Sequence, residues 1–258
     1  RTFVIFTPDD AYGYHYADIF QREVSARGGE VLAMQEYDVE LTDFAKPIKS
    51  LKKKANVPDR PTEEEKVKDS REEGEVEEEE YVLPFEAVFL PGSADEAGLI
   101  LPQFAFHDMD PRRLTVLGGS GLNTLRFPEM GEEFAEGAIF TDGFFAGSPR
   151  PEVQRFVRSY RRRYGEDPGT FAAQAYDAAA MALESLRRGA DTRKKMLAAL
   201  AEVEGFPGVA GSTTLVPGGL PGRTPFFGTV ARGRLVSLEP LADEVLSSPE
   251  APPEFPSP

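Results

Sequence analysis

Short apolar runs alternate along this chain with segments whose apolar residues recur at helical spacing. The first run, Thr2 to Phe6, precedes a helical pattern from about Tyr14 to Arg27, which stops at Gly28-Gly29. Val31 to Tyr37 is typical of a second strand, and Thr42 begins a second amphipathic helix. Because strands and helices alternate, we predict an α/β fold with a doubly wound, mostly parallel sheet.

The alternation continues through the rest of the chain. The further predicted elements are strands at 85–90, 114–117 and 138–140, a helix at 95–107, three helices between 148 and 203, and a hairpin of 226–230 and 234–238. In the glycine-rich stretch before the hairpin, apolar residues follow neither the helical nor the strand spacing, so this stretch is predicted to be irregular.

A charged segment interrupts the first part of the chain. Between Asp59 and Glu80 there are 12 acidic and 4 basic side chains, which gives a net charge of −8. Few apolar residues accompany them, so we expect a solvated, disordered insertion over residues 52–82. Residues 241–258 are rich in Pro, Ser and Glu, and we expect a disordered tail there.

The composition excludes several classes of function. The chain carries 29 Lys and Arg against 44 Asp and Glu, and a net charge of −15 repels nucleic acid and anionic lipid head groups. The absence of cysteine excludes disulfides and thiolate zinc sites. No apolar stretch reaches the length of a membrane span. We therefore expect no nucleic-acid partner, no membrane insertion, no metal and no cofactor.

Two sets of motifs stand out. The first set is Asp9-Asp10-Ala11-Tyr12-Gly13, Gly28-Gly29-Glu30-Val31, Tyr37-Asp38 and Thr42-Asp43-Phe44. The second set is Leu90-Pro91-Gly92-Ser93, Leu101-Pro102-Gln103-Phe104, residues 137–145 and residues 173–178. Their order resembles the second lobe of the Leu/Ile/Val-binding-like type I periplasmic binding proteins. The second set resembles more closely the branch of penicillin-binding-protein activators.

The resemblance implies a domain organisation in which an N-terminal lobe is missing. Residues 1–147 would form the α/β core of the second lobe, 148–205 would be helices that pack on the absent first lobe, and 206–240 would return to the second lobe. The apolar face of these helices is then expected to be exposed, since its packing partner is absent. This face comprises Val153, Phe156, Val157, Tyr160 and Phe171.

The resemblance also implies a ligand site at the carboxyl ends of the strands. Tyr12 occupies the place of a tyrosine that lines the family's cleft, and Ser93 or Ala94 occupies the place of a second aromatic contact. Ser120 stands where the family has the acid that holds a ligand ammonium. A serine does not supply that charge-assisted hydrogen bond, which contributes about 1.5–3 kcal/mol. We therefore expect a small polar, uncharged ligand rather than a free amino acid.

Other candidate groups have a structural explanation as well. The two histidines, His15 and His107, lie on separate elements, so no metal or catalytic pairing is expected. Gly118 to Gly121 lacks the lysine of a Walker motif and the spacing of a dinucleotide fingerprint, and is predicted to be a tight turn. Three acids that follow strands either cluster at the ligand edge or cap helices: Asp9, Asp10 and Asp142.

The sequence thus predicts a non-enzymatic binding module of the cell envelope. The main hypothesis is a protein that resembles the activators and contacts a protein partner such as a peptidoglycan synthase. The alternative is the solute-binding receptor of an ABC transporter, for a branched-chain amino acid or another small polar ligand. Both imply a location in the periplasm or on the envelope, with any lipid anchor in the missing N-terminus.

Overall fold

The computed structural model describes residues 1–58 and 82–238, which fall into two compact units, Arg1–Ala138 and Ile139–Pro258. The first unit contains β1 (Thr2–Pro8), α1 (Ala11–Ala26), β2 (Glu30–Tyr37), α2 (Ala45–Lys54), β3 (Ala87–Leu90), α3 (Ala94–Phe106), β4 (Thr115–Gly118) and α4 (Arg126–Gly131). The second contains β5 (Ile139–Asp142), α5 (Pro151–Tyr164), α6 (Thr170–Arg187), α7 (Arg193–Ala201), β6 (Phe206–Gly208), β7 (Gly211–Thr214), β8 (Gly222–Arg223), β9 (Phe226–Ala231) and β10 (Arg234–Ser237). No helix within the described ranges is long and apolar enough to cross a membrane.

The strands of the first unit run in the order β2-β1-β3-β4 and are all parallel. In the second unit β9 pairs antiparallel with β5 and with β10, and β9 with β10 forms the predicted hairpin. The predicted α/β fold with a mostly parallel central sheet is confirmed.

Helices cover both faces of the first unit's sheet. Successive side chains of a strand point to opposite faces. Ile5 of β1 packs with Ala17 of α1 on one face. On the other face, the neighbouring Phe6 contacts Phe44, which precedes α2, and Phe104 of α3. This arrangement is the doubly wound packing that the alternation predicts.

Polar side chains set where the helices begin. The Asp10 carboxylate accepts a hydrogen bond of 2.7 Å from the Gly13 amide, so α1 starts at Ala11, ahead of the predicted Tyr14. The Asp43 carboxylate accepts a bond of 2.9 Å from the Ala45 amide, and α2 starts after it rather than at Thr42.

Helix α2 continues past residue 52, where the sequence analysis placed the start of the insertion. Ala55 and Val57 are buried, and Lys52 is only 9% exposed. The Lys52 Nζ lies 3.0 Å from Asp108 Oδ2. Residues 52–57 therefore pack with the first unit, which corrects the predicted start. The remainder of the insertion up to residue 81, and the tail from residue 239, lie outside the described residues.

The apolar face of α5 is buried, which contradicts the predicted exposure. Val153, Phe156 and Val157 are at most 7% exposed. They pack within the second unit, in a cluster that includes Phe144, Phe145, Ala173, Val209, Ala210 and Phe226. Of the predicted face, only Phe171 of α6 is strongly exposed, at 88%. The division of the chain into lobe segments at residues 147 and 205 stays a prediction; the structure's own two compact units divide after Ala138.

The glycine-rich stretch forms a small antiparallel sheet, β6-β7-β8, that periodicity did not predict. The buried carboxylate of Asp177 accepts hydrogen bonds of 2.8 Å from the Val209 and Ala210 amides, in the turn between β6 and β7. A Cβ atom at Gly208 would lie 2.3 Å from Asp177 Oδ2, so this approach requires glycine. Asp177 therefore has a structural role in the 173–178 motif.

Truncation of the α5 face should destabilise the second unit. We expect Phe156→Ala to lower the free energy of unfolding by about 3–5 kcal/mol, because it leaves a cavity in a packed cluster. Phe171→Ala, the matched control at an exposed site, should change it by less than about 0.5 kcal/mol. Chemical denaturation measures both, and equal losses would contradict the packing described here.

Candidate functional site

Three loops meet at the carboxyl edge of the first unit's sheet, after β1, β3 and β4. A Cβ atom at Gly119, in the loop after β4, would lie 3.4 Å from the hydroxyl of Tyr12, which follows the loop after β1. The first and third loops are therefore close together. A Cβ atom at Gly121 would lie 2.3 Å from the Gly92 carbonyl oxygen, so only glycine allows the second and third loops this contact. Open α/β sheets bind ligands at this edge. We call these loops the edge site.

Tyr12 and Ser120 present hydroxyl groups at the edge site. Tyr12 lies in the first turn of α1 and is 39% exposed, with its ring centroid 4.5 Å from that of Tyr16. Ser120 is exposed and opens a short 3-10 turn, Ser120–Leu122. Its hydroxyl makes no hydrogen bond with the part of the chain that the structure describes. These two groups are therefore the predicted site residues best placed to meet a ligand.

Ser93 and Ala94 have structural roles at the same edge. The Ser93 hydroxyl accepts a bond of 3.3 Å from the Glu96 amide and donates one of 2.7 Å to Glu96 Oε2. The Ser93 amide donates to the same carboxylate at 2.7 Å, which completes a capping box for α3. Ala94 is 4% exposed and presents almost no surface. Its predicted role as a ligand contact has no support in this geometry.

The acids near the edge site are engaged by the protein. Asp10 caps α1, and Asp9 Oδ1 accepts a bond of 2.6 Å from the Tyr14 hydroxyl. That bond is the main cause that raises the pKa of Tyr14 to about 12. Asp142 belongs to the second unit, where its carboxylate accepts bonds from the Gly143 amide at 2.6 Å and the Thr170 hydroxyl at 3.2 Å. Of the two roles predicted for these acids, a cluster at the ligand edge or a helix cap, Asp10 has the second.

Tyr37 belongs to a motif of the sequence analysis but was given no role in the site. It ends β2, is 2% exposed, and its hydroxyl has no hydrogen-bond partner among the residues that the structure describes. Burial raises its pKa, and the charges of Glu96 and Asp10 raise it further, so the phenol stays protonated. A Cβ atom at Gly92 would lie 2.6 Å from this hydroxyl. Its position at the carboxyl end of a strand was the only sequence signal.

The histidines do not contribute to the edge site as a pair. His15 is exposed on α1, with its ring edge-on to Tyr16, and His107 follows the end of α3. Over residues 1–58 and 82–238, no three His, Asp or Glu side chains come together in a way that could hold a metal ion.

The different roles of the two serines predict different effects on stability. Ser93→Ala should lower the free energy of unfolding by about 1 kcal/mol, because α3 loses its cap. Ser120→Ala should leave it within about 0.5 kcal/mol, since the hydroxyl is exposed and makes no bond within the described residues. Urea denaturation compares the two. A loss for Ser120→Ala as large as that for Ser93→Ala would contradict this assignment.

Comparisons with known proteins agree with this architecture. The family model of periplasmic binding proteins matches residues 1–233. No curated protein sequence matches the chain significantly.

Solved structures match over 92% of this chain but only about 60% of their own length. One, described as a branched-chain amino acid ABC transporter protein from Rhodospirillum rubrum, is 22% identical with a TM-score of 0.74, and covers 92% of this chain and 60% of its own. A branched-chain amino acid transporter substrate-binding protein from Streptococcus pneumoniae, in complex with isoleucine, is 25% identical with a TM-score of 0.59, over the same shares of the two chains. A solute-binding protein from R. palustris, in complex with benzoate, is 17% identical with a TM-score of 0.58, and covers 92% of this chain and 57% of its own. The family match over most of the chain shows that it belongs to the periplasmic binding proteins, and the solved structures share its type I fold.

Proposed function

We propose that this chain is the second lobe of a solute-binding receptor that serves an ABC transporter in the periplasm. The observation that carries the proposal is the contact of three loops at the carboxyl edge of a parallel sheet, with the exposed side chains of Tyr12 and Ser120 beside them. The role is binding rather than catalysis, as is general in this family.

The comparisons reverse the order of the two hypotheses drawn from the sequence. The family match and the neighbouring structures are solute-binding proteins, and they give no support to the activator branch or to a peptidoglycan synthase as partner. The receptor, first stated as the alternative, is therefore the better-supported function.

A first lobe outside this chain would supply the other half of the ligand cleft. In support of this proposal, the chain aligns with only about 60% of the length of its structural neighbours. Loops from one lobe contact one side of a ligand, so a solute held at the edge site would remain open to solvent on the other. Binding experiments therefore need the protein that includes the proposed first lobe.

The edge site favours a small polar solute that lacks an ammonium group. Ser120 brings no charge, and two carboxylates at this edge of the sheet, those of Asp10 and Glu96, already accept protein hydrogen bonds. A desolvated ammonium at Ser120 would lose its hydration without a carboxylate to replace it. The neighbours bind solutes of both kinds: benzoate in the R. palustris protein carries no ammonium, whereas isoleucine in the S. pneumoniae protein does.

Branched-chain amino acids should bind weakly to the unmodified protein. We expect calorimetric titration with leucine, isoleucine and valine to show no affinity tighter than about 1 mM, or roughly −4 kcal/mol. Ser120→Glu should tighten leucine binding, because it restores a partner for the ammonium. The control Ser159→Glu adds the same charge at an exposed position of α5 and should leave the affinity for leucine unchanged.

Two results distinguish a failure of the predicted ligand preference from a failure of the proposed receptor function. Micromolar leucine affinity in the unmodified protein would contradict the role given to Ser120 but would support the receptor. If no solute from a broad panel of small polar molecules raised the thermal midpoint, the receptor function itself would be contradicted, since a bound solute stabilises the folded state by mass action.

A further inference from the structure

A second concave surface lies where α2 and α3 end. It is a pocket of about 650 Å³, which we call the basic pocket. Its lining includes Lys49, Lys52, Lys53, Asn56, His107 and Asp108. The helices of a doubly wound sheet run back along the strands, so their carboxyl ends lie at the edge opposite to the edge site. The basic pocket is therefore separate from the solute site proposed above.

The basic pocket carries an excess of positive charge. Lys49, Lys52 and Lys53 follow one another at helical spacing and share one face of α2. Lys52 forms an ion pair of 3.0 Å with Asp108, the one acid among the described residues of the lining. Lys49 and Lys53 make no ion pair with any residue that the structure describes. This local charge contrasts with the net −15 of the whole chain.

Helix capping explains only part of this cluster. Cations are favoured in the last turn of a helix, where they offset the partial negative charge of the terminal carbonyls. That effect accounts for Lys52 and Lys53, which lie in the last turn of α2. It does not account for Lys49, one turn earlier, nor for the wall that His107 adds from the end of α3.

The pKa of His107 reflects the charges that surround it in the basic pocket. Burial lowers its pKa, and the charges of Lys49 and Lys52 lower it further, while Asp108 and Asp43 act in the opposite direction. A neutral imidazole and the amide of Asn56 are hydrogen-bond donors that need no counter-charge.

We propose that the basic pocket binds a small soluble oxyanion of the phosphate class, with several acceptor oxygens to meet two lysines, an amide and an imidazole. Lysine ammonium groups bind phosphate as point charges and tolerate different orientations of the anion. A lipid head group is the less suitable source of this chemistry, because the net charge of −15 repels anionic membranes.

Nuclear magnetic resonance can test this directly, because the chain has two histidines and His15 is an internal control. Added pyrophosphate should shift the ring resonances of His107 and raise its pKa, since the anion offsets the charges of Lys49 and Lys52. The resonances of His15 should stay unchanged. Lys49→Gln combined with Lys53→Gln should weaken pyrophosphate binding by about tenfold or more, and Lys46→Gln combined with Lys54→Gln removes the same charge outside the pocket lining and should have little effect.

Three outcomes would overturn the proposal. Equal weakening by the two double variants would show that net charge alone attracts the anion. Binding to phosphatidic acid vesicles without binding to soluble pyrophosphate would assign the pocket to a membrane surface. Ring resonances of His107 that do not move with soluble pyrophosphate at millimolar concentration would show that the pocket does not bind this anion. None of these outcomes depends on the solute-binding function of the edge site.

Discussion

The buried ring of Phe6 fixes the geometry on which the edge site depends. Its centroid lies 4.9 Å from Tyr37, 5.1 Å from Phe104 and 6.4 Å from Phe44. These contacts tie β1 to the end of β2, to the residue before α2 and to the last turn of α3. Because the rings pack tightly on one face of the sheet, they hold β1 in place, and Tyr12 lies in the first turn of the helix that follows β1.

The sequence predicted the elements whose physics is local, and missed those set by distant contacts. Runs such as Thr2 to Phe6 revealed the strands, because a parallel strand buried on both faces reads as continuously apolar. The burial of Phe156 could not be read from α5 alone, since partners such as Val209 and Phe226 lie far along the chain. The β6-β7 turn depends on Asp177, more than thirty residues away, so no local pattern announces it.

At the edge site, sequence position alone did not separate ligand contacts from structural groups. Ser93 and Ser120 both follow strands. Ser93 forms a capping box with Glu96, whereas Ser120 is exposed and has no such partner among the described residues. The difference arises from one carboxylate three residues after Ser93. Tyr37 was noted only as part of a motif, because its hydroxyl becomes unusual only when burial leaves it without a hydrogen-bond partner in the described part of the chain.

These 258 residues contain no cysteine, so a single label can be placed at the edge site once any cysteines of the proposed first lobe have been replaced. Ser120→Cys, carried by the protein with its proposed first lobe and coupled to an environment-sensitive fluorophore, would report solute binding at the loop after β4. Ser159→Cys on α5 provides the matched control. We expect a solute that raises the thermal midpoint to change the emission at position 120 and not at 159. A stabilising solute that leaves the emission at position 120 unchanged would contradict a ligand site at this edge.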